Sequence, residues 1–159
     1  MNKPLITEDD YLIAIKDEEC AGYENHYLRY LPEKFKTIDF VKRIIDEDIV
    51  KGEYYYLFQH FPNEFRDNKE LFLKIVNKQP LSLNLASYRL KNDKELVLEA
   101  LNKSMQAQYY IGKILRDELN LNNIQSMPEI AEYLKRTIVK DELENELLIP
   151  KYENKKIKI

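Results

Sequence analysis

An all-α fold, a short α-solenoid of stacked two-helix repeats (period 25–30) with a C-terminal capping helix, is what this sequence predicts. Three observations lead there. Glycine is scarce, three in 159 residues, too few for phosphate-cradling loops, nucleophile elbows or a set of hairpin turns. Leu, Ile, Lys and Glu are abundant, and the apolar ones recur at helical spacing. The chain also repeats itself, and internal repetition at such a period is the signature of stacked helical units.

The repeat is read directly from the residues. Leu31-Pro32-Glu33-Lys34-Phe35 lies over Phe61-Pro62-Asn63-Glu64-Phe65 at an offset of 30, which also superposes Gly22 on Gly52 and Tyr27-Leu28 on Leu57-Phe58. At an offset of 25, Lys69-Glu70-Leu71-Phe72-Leu73-Lys74-Ile75-Val76-Asn77-Lys78 lies over Lys94-Glu95-Leu96-Val97-Leu98-Glu99-Ala100-Leu101-Asn102-Lys103. Adding 25 again sets Leu115-Arg116-Asp117 on Leu90-Lys91-Asn92.

The elements follow in order. Thr7 with Glu8-Asp9-Asp10 behind it reads as a helix start, where negative charge favours the dipole; Tyr11-Leu12 make this helix a half-repeat. Each later unit reads as two short helices. The first carries Tyr27, Leu28, Leu31, then Leu57, Phe58, Phe61, and ends near Pro32 or Pro62, which cannot sit deep in a helix. The second opens at a side-chain cap: Thr37, then Asp67 or Asn68, then Asn92 or Asp93. Its apolar face is Phe40, Val41, Ile44, Ile45, repeated as Leu71, Phe72, Ile75, Val76 and as Leu96, Val97, Ala100, Leu101. From 117 to 126 the chain is polar and Asn-rich, a loop. Met127, Ile130, Ala131, Leu134 and Ile138 mark a further helix, followed by a short one near 141–148, together the cap of the stack. The division is one domain over 1–149 and a basic tail over 150–159, with Lys151, Lys155, Lys156 and Lys158.

The segment Leu85-Ala86-Ser87-Tyr88-Arg89-Leu90-Lys91-Asn92-Asp93-Lys94-Glu95-Leu96 and the apolar helix after it resemble the short repeat called domain of unknown function 4116. Units of that family read Ala-Ser, a few residues, Leu-x-Asn-Asp-Lys-Glu, then an apolar helix. The resemblance spans about 60–116, and the family's usual Asn-Gly between units is replaced by Lys78-Gln79-Pro80 and Lys103-Ser104-Met105. It implies stacked helix pairs and brings no activity, because the family has no assigned chemistry.

Composition bounds the function. No long apolar run marks a secretory leader or a membrane-spanning helix, and Cys20, the single cysteine, suits a reducing cytoplasm. The net charge of −3 gives no global pull toward nucleic acid. Residues 1–53 carry 13 acids and 8 bases, whereas 54–125 carry 8 acids and 10 bases, so any cationic patch belongs to the middle. His26 and His60 lack metal-ligand spacing, and Cys20 sits among acids that would keep it a thiol. No metal, cofactor or catalytic residue is expected. The acids Asp17-Glu18-Glu19 and Asp46-Glu47-Asp48 fall at helix ends, where the dipole disfavours them; they read as solvated surface or as complements to a basic partner.

Twelve tyrosines without a tryptophan are more suggestive. Columns headed by 27, 28, 31 and 35 are mostly apolar and are read as core. Two columns beside them hold His26, Tyr56, Leu81, Gln106 and Tyr30, His60, Leu85, Tyr110. His26, Tyr30, Tyr56, His60 and Tyr110 are therefore the candidate partner-binding residues of a protein-binding adaptor or inhibitor. The same stripe read as packing between repeats would be buried. The alternative function is nucleic-acid binding through Lys69, Lys74, Lys78, Arg89, Lys91, Lys94 and the Lys-rich tail.

Overall fold

A computed structural model describes residues 5–17, 26–50, 54–119 and 127–148, and among these every regular element is helical. Cys20, Gly22, Gly52 and the basic tail lie outside the described residues. The α-helices are α1 (Glu8–Asp17), α2 (His26–Arg29), α3 (Ile38–Asp46), α4 (Tyr54–Leu57), α5 (Lys69–Lys78), α6 (Lys94–Lys103), α7 (Lys113–Glu118) and α8 (Met127–Leu148). Short 3₁₀ turns stand between them, at Glu33–Phe35, Asn63–Asp67, Pro80–Leu85, Leu90–Asn92 and Met105–Tyr110.

Helices α3, α5 and α6 each start where a short polar side chain accepts from a free backbone N–H. Thr37 accepts from Phe40 N, Asn68 from Leu71 N and Asp93 from Leu96 N. In α1, Thr7 and Asp10 bond reciprocally: Asp10 N donates to Thr7 Oγ1, and Thr7 N donates to Asp10 Oδ2. Phe40, Val41, Ile44 and Ile45 of α3 are buried, as are Leu71, Phe72, Ile75 and Val76 of α5 and Leu96, Val97, Ala100 and Leu101 of α6. The three helices pack in sequence, α3 on α5 and α5 on α6, with α8 also against α6. Leu28, Leu31, Leu57, Phe58, Phe61, Phe65, Leu83, Ala86, Leu90, Ala107, Ile111 and Leu115 complete the core from the segments between these helices. Phe58 stacks on Phe72 at 5.3 Å between ring centroids, joining the segment after α4 to α5.

Two differences from the sequence reading have local causes. The region 127–148 is one helix rather than two; neither Gly nor Pro interrupts it beyond Pro128, and Glu132–Arg136 and Lys140–Glu144 brace it at i,i+4. The first helix of each unit, short as expected, is α-helical only in α2 and α4 and is a 3₁₀ turn at 80–85 and 105–110.

Successive segments are tied by backbone. Ser87 N donates to Arg66 O at 2.8 Å, and Gly112 N donates to Lys91 O at 2.7 Å, the second pair standing one repeat beyond the first. Around this tie the side chains solve one problem twice. In the earlier copy Ser87 Oγ accepts from Leu90 N at 3.1 Å and also donates to Asp67 Oδ1. In the later copy position 112 has no hydroxyl, and Asn92 reaches across instead. Its Oδ1 accepts from Leu115 N at 2.9 Å while its Nδ2 donates to Tyr88 O at 2.7 Å. Gly112 is required by that approach, since a Cβ there would overlap the Asn92 carboxamide.

Gly112→Ala should therefore cost roughly 1–3 kcal/mol through overpacking and loss of the Leu115 cap. Asn92→Asp with Gly112→Ser, which copies the Asp67–Ser87 pair, should regain most of it; additive losses in a urea-denaturation cycle would contradict the pairing. Tyr54 supplies a second test. It is fully buried, and its hydroxyl has no hydrogen-bond partner among the described residues. Burial, followed by the nearby Asp48 carboxylate, pushes its pKa up to about 12. Tyr54→Phe should leave stability unchanged or raise it by about 1 kcal/mol, whereas a clear fall in the denaturation midpoint would reveal a hydrogen bond at that hydroxyl.

Candidate partner-binding surface

The five aromatic and imidazole candidates do not share one environment. Tyr30, closing α2, is 61% exposed, with the Arg29 guanidinium 5.8 Å from its ring centre. His60, in the turn after α4, is half-buried. Tyr110, last in its 3₁₀ turn, is half-buried against the core, and Leu85, which stands between His60 and Tyr110 in the column, is buried. In the neighbouring column Leu81 is half-buried and Gln106 exposed, while the side chains of His26 and Tyr56 lie outside the described set. The column is thus open at Tyr30 and closed at Leu85.

Helix type explains the interruption. Positions four apart differ by about 40° around an α-helix, but by about 120° around a 3₁₀ turn. The two columns lie on one stripe only where the first helix is α, and at 80–85 and 105–110 it is not.

The large side chains most exposed within residues 54–119 stand elsewhere: Tyr55, Tyr88, Met105, Tyr109 and Ile114, with Tyr109 at 71%. The register contains a signal for three of them. Tyr109 follows Gln59 and Asn84, Tyr88 falls between Asn63 and Lys113, and Ile114 follows Glu64 and Arg89. Each is an apolar residue in a polar column. Tyr88 is linked through its carbonyl to Asn92, and Tyr109 through its carbonyl to Arg116 Nη2 at 3.2 Å.

Charge in this region is organised by ion pairs between elements. Lys42 meets Glu70 at 2.8 Å, Lys74 meets Asp46 at 2.8 Å, and Lys78 lies 3.9 Å from Asp48. Lys69 contacts Asp93 and Glu95; one period later Lys94 contacts Glu118 and Asp141. The acids Asp46 and Asp48, which sit badly at the end of α3, thus face lysines of α5 in the same chain. Arg89 Nε binds Asp67 at 3.0 Å and its Nη2 reaches the Asp67 carbonyl at 2.7 Å. Arg66, Lys91 and Arg116 differ from these: no carboxylate pairs with them among the described residues.

No set of three or more His, Cys, Asp or Glu able to hold a metal occurs among the described residues, and no described helix is long and apolar enough to cross a membrane. A concavity of about 380 Å³ lies between α5 and α6 and is lined by Glu70, Leu73, Lys74, Asn77, Glu95 and Glu99.

Residues 68–116, from the Asn68 cap through α7 to Arg116, match the model of the family described as Domain of unknown function (DUF4116). The match covers less than a third of the chain and coincides with the segment in which the repeat is most regular. No curated protein and no solved structure matches the chain.

The Ser87 hydrogen bond, and then Arg89, hold the Asp67 carboxyl below its ordinary 3.8; Lys42 likewise lowers Glu70. Protonation breaks these contacts, so their contribution is full above the ordinary carboxylate range and disappears as pH falls through the lowered values. The melting temperature should hold between pH 7 and 5 and fall below 3.8. Asp67→Asn should flatten part of that acid limb, and an unchanged limb would show that the pair adds nothing.

Proposed function

We propose that this chain is a non-catalytic protein-binding module, an adaptor or an inhibitor, built as a short α-solenoid of two-helix units with α8 as its cap. The observation that carries the reading is the exposure of Tyr88, Tyr109 and Ile114 in columns that are otherwise polar, beside a core that is closed without them. Tyrosine gives large contact area at small entropic cost, which is why it is enriched where proteins meet. Tyr30 belongs to the proposed surface by its exposure; His60, Tyr110, His26 and Tyr56 belong to it by register. The single Cys20 fits a reducing compartment such as the cytoplasm.

Nucleic-acid binding is the weaker reading. Lys69, Lys74, Lys78, Arg89 and Lys94 are each committed to carboxylates of the same chain, which leaves Lys91 of that set among the described residues, and the Lys-rich tail outside them, for a phosphate backbone.

The test is to isolate the partner by crosslinking from cells that express the chain, and then to titrate it calorimetrically against Tyr109→Ala and Tyr30→Ala. Tyr109→Ala should weaken the complex by about 2 kcal/mol, the size of an interface hot spot. Its melting temperature should stay with the parent's, as expected for an exposed side chain. Both variants binding as tightly as the parent would end this assignment. Destabilisation of both by roughly 3 kcal/mol would place the rings in packing instead.

A further inference from the structure

Three cations occupy the same place in successive repeats: Arg66, Lys91 and Arg116. A continuous run of backbone hydrogen bonds connects them. Ser87 N donates to Arg66 O at 2.8 Å and Lys91 N to Ser87 O at 3.0 Å. Gly112 N then donates to Lys91 O at 2.7 Å and Arg116 N to Gly112 O at 2.9 Å. The backbone of each cation is thereby two hydrogen bonds from the next.

Internal structure accounts for two of these side chains in part. Arg66 Nη2 donates to Phe58 O at 3.2 Å, and Arg116 Nη2 approaches Gln108 O, Tyr109 O and Ile111 O at 3.2–3.4 Å. Such contacts satisfy carbonyls at the end of a short helix. They leave Arg66 Nε buried without an acceptor among the described residues. They do not explain Lys91, whose ammonium has neither an acceptor nor a carboxylate among the described residues, although it is half-buried. Burial and the neighbouring Arg66 both disfavour its charge, lowering its pKa from 10.5. A fold serving only itself gains nothing from a desolvated cation beside another cation. An anion from outside supplies the missing partner.

We propose that Arg66, Lys91 and Arg116 form a cationic ridge that docks an acidic segment of a partner protein, one carboxylate to each unit. The inference rests on the protein-binding reading and names the chemistry of the partner. The spacing selects the ligand. Adjacent packed helices lie about 8–10 Å apart, and the backbones that carry one cation per unit are taken to repeat at about that interval. A chain in the polyproline II conformation has three residues per turn and rises about 3.1 Å per residue, so acidic side chains at every third residue share one face about 9 Å apart and meet the ridge in step. A nucleic-acid strand places a charge every ~3.4 Å, denser than the ridge can match. The backbones of exposed Tyr88 and Tyr109 adjoin the run: Tyr88 follows Ser87 in the chain, and the Tyr109 carbonyl touches Arg116. The ridge ends where Lys36, the corresponding residue of the unit before Arg66, is paired with Glu33.

The full chain is titrated, by fluorescence polarisation, with three labelled probes: a twelve-residue Ser/Thr/Gly peptide bearing glutamate at every third position, a peptide of the same composition with its glutamates in one block, and a twenty-base oligothymidylate. The spaced peptide should bind best. Lys91→Gln should weaken it about tenfold, the loss expected of one charge-assisted contact, while Lys91→Arg retains binding. Lys113→Gln, which removes an exposed cation already paired with Asp117, should stay within about twofold of the parent. Because Lys91 holds nothing in place, Lys91→Gln should melt at or above the parent's temperature. No binding of the spaced peptide, equal binding of the block peptide, or indifference to Lys91→Gln each overturns the ridge. Tighter, Lys91-dependent binding of the oligothymidylate reassigns it to nucleic acid. If the peptides fail while Tyr109→Ala still weakens the isolated partner, the ridge falls and the protein-binding reading stands.

Discussion

The backbone tie between one segment and the next is the constraint on which the rest depends. Ser87 N to Arg66 O, and Gly112 N to Lys91 O, join the residue that opens one 3₁₀ or helical turn to a carbonyl of the turn before it. With that junction fixed, the caps at Asn68 and Asp93 fall one repeat apart, and α5 and α6 present matching faces, Leu71-Phe72-Ile75-Val76 and Leu96-Val97-Ala100-Leu101. Lys69 and Lys94 then reach acids at corresponding distances along the chain, Asp93 and Glu118. Exposed ion pairs of this kind contribute little individually, on the order of 0.2–1 kcal/mol, so they report the geometry more than they hold it. Apolar burial and the backbone ties do the holding.

Much of this was legible before the structure, and the parts that were not have identifiable reasons. The columns headed by 28 and 31 contain buried residues in successive units, because apolar identity repeats at those positions. The choice between Asp67 and Asn68, or between Asn92 and Asp93, was not legible, because both members of each pair are good caps. The decision is made elsewhere: Asp67 is taken by Ser87 and Arg89, and Asn92 by Leu115, which leaves Asn68 and Asp93 to cap α5 and α6. No local signal announces a contact with the next repeat. The 3₁₀ form of the first helices escaped for a similar reason. Periodicity at four residues assumes an α-helix, so the His60 and Tyr110 column looked continuous through Leu85, where the structure closes it.

Charge shows how far counting can mislead. Tallies by region gave an acidic first third and a basic middle, which invites separate partners for each. The structure answers part of that contrast internally, with Asp46 and Asp48 against Lys74 and Lys78; Glu70 against Lys42 crosses the other way, and Glu8 and Asp9 meet Arg43 within the acidic third. What remains after pairing is smaller and more informative than the tally.

Departures from the repeat carry the same kind of information, and they sort by whether the fold compensates for them. At 112 a glycine replaces the serine of the earlier unit, and Asn92 moves in to cap the N–H that the hydroxyl would have capped. That change is answered within the molecule, so packing is a sufficient account of it. Tyr88 and Tyr109 replace polar residues of their columns and remain exposed, and no described neighbour closes over them. At 91 a lysine stands where Arg66 and Arg116 reach helix carbonyls, and its ammonium reaches none among the described residues. An uncompensated departure costs the fold something, or at least gains it nothing, and mutation toward the column's usual residue would be free to remove it. Tyr88, Lys91 and Tyr109 share that property, and the hydrogen-bond run from Arg66 to Arg116 passes beside all three. Their occurrence along one backbone feature, rather than the surroundings of each taken singly, is what supports the proposal that this edge meets a partner.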